Sequence, residues 1–145
     1  RFAKLPAPRL ERVEWRQFVA QLRSQVEFVV DLHPDDGTTR LDAAQVEQAL
    51  LNLLRNAHES GSAPDEVKLS LRRIPGNWRI DVLDRGSGMN EAVLANALLP
   101  FYSTKRHGTG LGLALAREIA EAHDGRIALL NREGGGLCVS MVLPE

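Results

Sequence analysis

The sequence predicts an α/β two-layer sandwich, a fold of the α+β class in which helices cover one face of a mixed, mostly antiparallel sheet. Long stretches of the chain have apolar residues at helical spacing. Two pairs of alternating apolar and polar stretches are each joined by a turn rich in glycine. The chain has 145 residues, 43% of them hydrophobic, which is enough for one buried core.

Helical periodicity predicts four helices. The clearest begins after Asp42, an N-cap candidate with Gln45 in capping-box position. Gly61 and Pro64 end this helix, and Asn90 is a candidate cap for a short one. The predicted helices are residues 14–25, 43–60, 90–98 and 111–123.

Alternating patterns predict the strands of the sheet. Pro75-Gly76-Asn77 joins one pair and Gly134-Gly135-Gly136 joins another, so each pair is predicted to be a hairpin. The predicted strands are residues 27–32, 66–73, 78–83, 126–131 and 137–143. Residues 99–110 have no clear period and are predicted to form a long loop.

Composition excludes several classes of protein. The formal net charge of −1 does not fit a nucleic-acid binder, and no apolar run approaches the length needed to cross a bilayer. The single cysteine, Cys138, cannot form an internal disulfide and is predicted to be buried in a strand, so we expect a cytoplasmic protein. The four histidines lack metal-ligand spacing.

A polar stripe lies beside the apolar face of the second helix. Gln48, Asn52 and Asn56 are spaced four apart and therefore share a face. An amide oxygen is a hard, neutral ligand that suits Mg²⁺ among phosphate oxygens. The same stripe is also typical of a solvated helix face, and these residues alone do not decide between the two.

The loop after the third predicted strand reads Asp84-Arg85-Gly86-Ser87-Gly88-Met89. A buried carboxylate accepts a hydrogen bond from an adenine amino group and rejects guanine, which has an oxygen in that position. Gly86 and Gly88 allow the backbone to turn close to a base. An ordinary Asp/Gly turn is the alternative.

Residues 105–113 combine spaced glycines, two cations and the start of a helix, as a phosphate cradle does. No P-loop motif is present, and Leu113 stands where a dinucleotide-binding fingerprint needs its third glycine. A flexible loop that caps the helix is the alternative.

The order of these motifs resembles that of sensor histidine kinases. Gln48-x-x-x-Asn52-Leu-Leu-Arg-Asn56 is similar to their N box, Asp84-x-Gly86-x-Gly88 to their G1 box, residues 99–105 (LPFYSTK) to their F box, and residues 108–113 (GTGLGL) to their G2 box. The opening RFAKLPAP and the PFYSTK segment look most like the nitrogen-regulation class of these kinases.

The resemblance implies the Bergerat ATP-binding fold, with ATP and Mg²⁺ as ligands. It implies that Asn56 binds Mg²⁺, that Asp84 binds the adenine amino group, that residues 99–112 form a lid, and that Asn56 and Lys105 are catalytic. The implied ATP-binding residues are Asn52, Asn56, Asp84, Gly86, Gly88, Met89, Tyr102, Ser103, Thr104, Lys105, Gly108, Thr109, Gly110, Leu111, Gly112 and Leu113.

The implied function is that of a catalytic domain, residues 13–145, with residues 1–12 as a linker from a helical dimerisation domain. The phosphoacceptor signature His-Glu-Leu/Ile-x-Asn-Pro is absent, so the chain would donate the ATP γ-phosphate to a histidine on that domain of the same parent protein. A response regulator would follow downstream. We expect a monomer that binds ATP without phosphorylating itself, inserts into no membrane and binds no nucleic acid.

Three alternatives share the pocket. A gyrase-type ATPase would have its general-base glutamate at the position of Asn52. A serine kinase of the anti-sigma type would phosphorylate serine on a partner. A nucleotide-gated binding module would bind ATP without transferring phosphate.

Overall fold

A computed structural model describes residues 5–33, 37–99 and 112–145. The strands are β1 (Glu11–Glu14), β2 (Val29–His33), β3 (Thr38–Leu41), β4 (Lys68–Ile74), β5 (Asn77–Leu83), β6 (Arg126–Asn131) and β7 (Leu137–Pro144). The α-helices are α1 (Trp15–Arg23), α2 (Ala43–Glu59), α3 (Glu91–Asn96) and α4 (Gly112–Ala122), and a 3₁₀ turn spans Pro64–Glu66.

Five strands form the main sheet in the order β2-β4-β5-β7-β6. Strands β2 and β4 are parallel, and every other neighbouring pair is antiparallel. The β4–β5 and β6–β7 hairpins are therefore confirmed. The order places β5 and β7 side by side at the centre, so the residues that follow β5 lie beside the residues that precede β7.

A second sheet of two strands was not predicted. Strand β1 pairs antiparallel with β3, from Glu11 opposite Leu41 to Glu14 opposite Thr38. Each strand has only four residues, which is too short for alternation to stand out from the neighbouring turn residues. Residues 5–10 have no regular secondary structure, and the boundary between linker and domain at residue 12 remains a prediction.

One face of the main sheet and the helices enclose a single core. Helix α1 buries Trp15, Phe18, Val19 and Leu22. The ring of Trp15 packs edge-on against that of Trp78 in β5, with centroids 5.5 Å apart. Aromatic pairs in this geometry add about 0.5–1.5 kcal/mol beyond the area they bury.

The N-cap of α2 is confirmed, but only half of the predicted capping box forms. The Asp42 carboxylate accepts a hydrogen bond from Gln45 N at 3.1 Å, whereas Gln45 Nε2 donates to Pro6 O. The backbone N–H of Asp42 donates instead to Nε2 of His123, at 3.1 Å. The acceptor for the Asp42 N–H is therefore the distant His123 ring and not the Gln45 side chain that the capping-box pattern predicts.

Burial raises the pKa of the Asp42 carboxyl, but hydrogen bonds from the backbone N–H groups of Arg9 and Gln45 lower it by more. The pKa of this carboxyl therefore lies below its ordinary value of 3.8.

Cys138 lies on β7 as predicted, but it is only half-buried, so the prediction of a buried cysteine is wrong in degree. It alternates with Leu137 and Val139, which belong to the core, and therefore lies on the outer face of the sheet. Burial and the nearby charge of Asp81 raise the pKa of its thiol, which favours the unreactive protonated form.

None of the helices in the described part of the chain combines the length and apolar character that crossing a membrane requires.

Candidate functional site

The polar face of α2 leads to the loop that follows β5. Asn52 and Asn56 are half-buried, and Ser60 follows them at the same spacing. Ser60 O accepts a hydrogen bond from Ser87 N at 3.1 Å. Among the described residues, no hydrogen bond joins either asparagine amide to another side chain or to the backbone.

Helix α4 packs against α2 and brings its N-terminus to the same region. His123, just after α4, bonds to Asp42, just before α2, so the two helices run in opposite directions. Gly112 lies 11 residues before His123, and Leu53 lies 11 residues after Asp42. At 1.5 Å per residue both distances are about 16 Å, which places the start of α4 near the level of Asn52 and Asn56.

Asp84 directly follows β5 and is almost fully buried, at 2% exposure. Its Oδ1 accepts hydrogen bonds from Gly86 N at 2.9 Å and Leu137 N at 3.1 Å. Its own N–H donates to Leu137 O at 3.0 Å. The two bonds to Oδ1 fix the orientation of the carboxylate, and Oδ2 is the oxygen that can accept from a base.

The C-terminal end of α2 and the residues after it support the loop from one side. Ser62 Oγ accepts from Arg85 N at 3.0 Å. Gly86 lies so close to Ser60 that a Cβ atom would stand 2.1 Å from Ser60 Oγ. The glycine predicted to allow a close approach to a ligand therefore also allows the loop to pack against α2.

The β6–β7 hairpin supports the loop from the other side, and the sequence motifs did not indicate this. Asn131 bonds to Met89, Arg132 Nη1 donates to Asp84 O at 2.9 Å, and Arg85 Nη1 donates to Glu133 O at 2.8 Å. The only local signal was the glycine-rich turn at residues 134–136, which predicted a hairpin and nothing further.

The remaining predicted site residues fall into two groups. Gly88 has a φ of +69°, Met89 and Leu113 are half-buried against the core, and Gly112 is the first residue of α4. Eight predicted residues lie outside the described residues: Tyr102, Ser103, Thr104, Lys105, Gly108, Thr109, Gly110 and Leu111. Their roles remain predictions.

The protein side chains at this site could bind a magnesium ion only if phosphate oxygens supplied further ligands. Within residues 5–33, 37–99 and 112–145, no group of three or more His, Cys, Asp or Glu side chains could hold a metal ion. The neutral amide of Asn56 is a suitable hard ligand, but one amide cannot bind Mg²⁺ alone.

The sequence profile of the family described as histidine kinase-, DNA gyrase B- and HSP90-like ATPase matches residues 41–145, most of the chain. The chain belongs to this family. The predicted Bergerat fold and the predicted family are both confirmed, and the chain corresponds to the ATP-binding catalytic domain of sensor histidine kinases.

Individual relatives agree with this membership. Sensor protein kinase PilS of Pseudomonas aeruginosa is 37% identical over 143 residues, which cover 89% of this chain and 26% of PilS. Nitrogen regulation protein NtrY of Azorhizobium caulinodans is 33% identical over an alignment of 156 positions, which covers 98% of this chain and 20% of NtrY. NtrY supports the predicted nitrogen-regulation class, and the chain spans about a quarter or less of these relatives' length.

A solved structure shows the shared fold. The catalytic domain of histidine kinase ThkA in a nucleotide-free form superposes with a TM-score of 0.81 at 23% identity, covering 94% of this chain and 95% of that one. This likeness shows that the shared fold extends over most of the chain.

Proposed function

We propose that the chain binds Mg·ATP and donates the γ-phosphate to a histidine on a separate helical dimerisation domain, from which a response regulator is phosphorylated. The observation that carries the proposal is the buried carboxylate of Asp84. Two backbone N–H groups hold its Oδ1, so the position of Oδ2 is set before a nucleotide arrives. An acceptor fixed in this way discriminates by hydrogen bonding, which is the strongest form of selectivity between bases.

The phosphates would extend from the base towards the start of α4. The N-terminus of a helix has unpaired N–H groups and a partial positive charge that favour phosphate. Lys105 would add a mobile cation, and residues 99–112 would close over the nucleotide. Phosphoryl transfer mainly requires positioning and neutralisation of charge, and these groups are suited to both tasks.

Asn56 would hold Mg²⁺, which neutralises charge on the phosphates when it is bound. The half-buried amide of Asn56 lies one turn from Asn52 and one turn from Ser60, on the face of α2 that leads to the Asp84 loop. An amide oxygen can complete the coordination of the ion without adding negative charge beside the phosphates.

Asn52 favours phosphotransfer over hydrolysis. A gyrase-type ATPase would need a carboxylate at this position to activate water, and an amide cannot accept that proton. Because none of the four histidines lies in a phosphoacceptor signature, the acceptor would be supplied by another domain. We place this monomeric domain in the cytoplasm, where its single thiol would remain reduced.

Calorimetric titration with ADP, an ATP analogue and GTP, each with and without Mg²⁺, tests nucleotide binding. We expect adenine-selective binding that Mg²⁺ strengthens in the unmodified chain. In Asn56→Ala we expect Mg²⁺ to have little further effect on the affinity. Gln48→Ala is the matched control, because Gln48 lies on the same stripe but is exposed. Equal binding of GTP would refute the base site.

Transfer is tested with γ-labelled ATP and an excess of a purified helical dimerisation domain from a sensor histidine kinase. Phosphate that is acid-labile and alkali-stable on that domain would support histidine as the acceptor. Acid-stable phosphate would indicate a serine kinase, and rapid release of inorganic phosphate would indicate a gyrase-type ATPase. Nucleotide binding with neither transfer nor hydrolysis would indicate a binding module.

A further inference from the structure

The β6–β7 hairpin contacts the Asp84–Met89 loop at both of its ends. At the start of the loop, Leu137 N donates to Asp84 Oδ1 and Arg132 Nη1 donates to Asp84 O. At the end of the loop, the side-chain amide of Asn131 contacts Met89. These contacts join residues more than 40 positions apart, which the pairing of β5 with β7 brings together.

The side-chain amide of Asn131 binds both the backbone N–H and the backbone carbonyl of Met89. Its Oδ1 accepts from Met89 N at 2.8 Å, and its Nδ2 donates to Met89 O. A side-chain amide used in this way pairs with one residue as a neighbouring β-strand would. Both partners lie near solvent, and the two bonds together restrict the peptide groups on either side of Met89.

Met89 is the last residue of a loop that contains two glycines. Gly86 and Gly88 give the loop more conformational freedom than any other residues would, and Gly88 has a positive φ. Asn90, immediately after Met89, caps α3 by accepting from Val93 N at 2.9 Å. Fixing Met89 therefore anchors the far end of a flexible segment whose near end is Asp84.

We propose that Asn131 is a positioning residue for adenine recognition, which holds the Asp84–Met89 loop in its binding conformation through the two bonds to Met89. This inference rests on the proposed function. A loop that is already ordered loses less conformational entropy when a ligand binds, so the contribution of Asn131 appears as affinity for the base. Asn131 itself need not touch the nucleotide.

The test compares the unmodified chain with Asn131→Ala and with Leu130→Ala. Leu130 is the neighbouring residue on β6 and its side chain is 60% exposed, so its truncation controls for changes in the strand. For each protein we would measure the affinity for ADP and for IDP well below the unfolding midpoint, and the amide hydrogen exchange of residues 84–89 without nucleotide.

For Asn131→Ala we expect ADP to bind about tenfold more weakly, because two hydrogen bonds that order the loop are lost. The preference for ADP over IDP should fall, because Gly86 N in the loop helps to orient the Asp84 carboxylate, which only adenine would use as an acceptor. Amide exchange in the loop should become faster. Saturating ADP should restore slow exchange, because the bound base then orders the loop. Leu130→Ala should match the unmodified chain in all three measurements.

Two results would overturn the inference. If Asn131→Ala lowered only the unfolding midpoint and left the ADP/IDP preference unchanged, Asn131 would be merely structural. If loop exchange were unchanged, Met89 would be held by other groups. Failure of the unmodified chain to bind ADP would instead overturn the proposed function, so the two failures are distinguishable.

Discussion

Replacing Asp84 by asparagine should reverse the base preference of the site without unfolding the protein. The substitution keeps the shape of the side chain, but the two ends of an amide differ. Gly86 N and Leu137 N both donate to Oδ1, so the amide oxygen must take that position, because an amide nitrogen there would face two N–H groups. The amide nitrogen is then left at the position of Oδ2.

The size of the effect follows from this exchange of an acceptor for a donor. An adenine amino group would lose a hydrogen bond to a carboxylate, worth about 1.5–3 kcal/mol, and would face a second donor instead. ADP should therefore bind about 10- to 100-fold more weakly. The oxygen at the same position of IDP would gain a donor, so IDP should bind better than it does to the unmodified chain.

The fold should be destabilised but should not unfold. The bonds from Gly86 N and Leu137 N remain but no longer involve a charge, which removes about 1 kcal/mol from each. For a domain of this size that lowers the unfolding midpoint by roughly 4–8 °C. The variant should remain folded at 25 °C, where its nucleotide binding can be measured.

Calorimetry with ADP and IDP on Asp84→Asn measures the reversal directly. Asp81→Asn is the matched control, because Asp81 is a buried carboxylate of the same strand that pairs with Arg79 at 3.1 Å on the outer face of the sheet. Its loss should reduce stability and leave the base preference unchanged. Unchanged ADP affinity in Asp84→Asn, or an equal loss of ADP and IDP binding, would refute the reasoning.

Three further predictions concern how the site is held. Gly136→Ala should weaken ADP binding at least tenfold, since the new Cβ would stand 2.0 Å from Asp84 O. Gly76→Ala is the control: Gly76 is also at positive φ but in open space, so urea unfolding should show a loss of only about 1 kcal/mol of stability. His123→Ala should lower the free energy of unfolding by about 2–3 kcal/mol, because the buried ring bonds to Asp42 N and Ile119 O; a loss under 0.5 kcal/mol would contradict this role. The lowered pKa of Asp42 stabilises the fold above pH 3.8, and this contribution disappears as the pH falls through the pKa of Asp42 in the folded protein. The free energy of unfolding of Asp42→Ala should therefore fall less steeply with acid than that of the unmodified chain.

The helices, caps and hairpins that depend on neighbouring residues could be predicted from the sequence. The apolar face of α2 and the N-caps Asp42 and Asn90 were predicted because each depends on residues within one or two turns. The β4–β5 hairpin was predicted because its turn residues and alternation adjoin in the sequence. Strands β1 and β3 were missed because their pairing joins two short segments separated by α1 and β2.

The same limit explains what could be predicted of the candidate site. The boxes indicated groups suited to contact a ligand, such as Asn56 and Asp84, because their chemistry is visible in one residue and its neighbours. They gave no sign of Asn131 or Arg132, which lie outside the boxes and matter through contacts with the Asp84 loop. Nor did they indicate His123, which bonds across 81 residues to the start of α2.

The residues that hold the site therefore come largely from the part of the chain that follows the boxes. His123 sets α4 against α2, and the β6–β7 hairpin supports the loop that contains Asp84. Two chains with identical boxes can thus differ in affinity, because a box fixes which atoms meet the nucleotide and not how firmly they are held beforehand. If Asn131→Ala weakens ADP binding as expected, part of that difference lies in hydrogen bonds that never touch the nucleotide. Nucleotide affinity within the family would then depend on the residues of this hairpin as well as on the residues of the boxes.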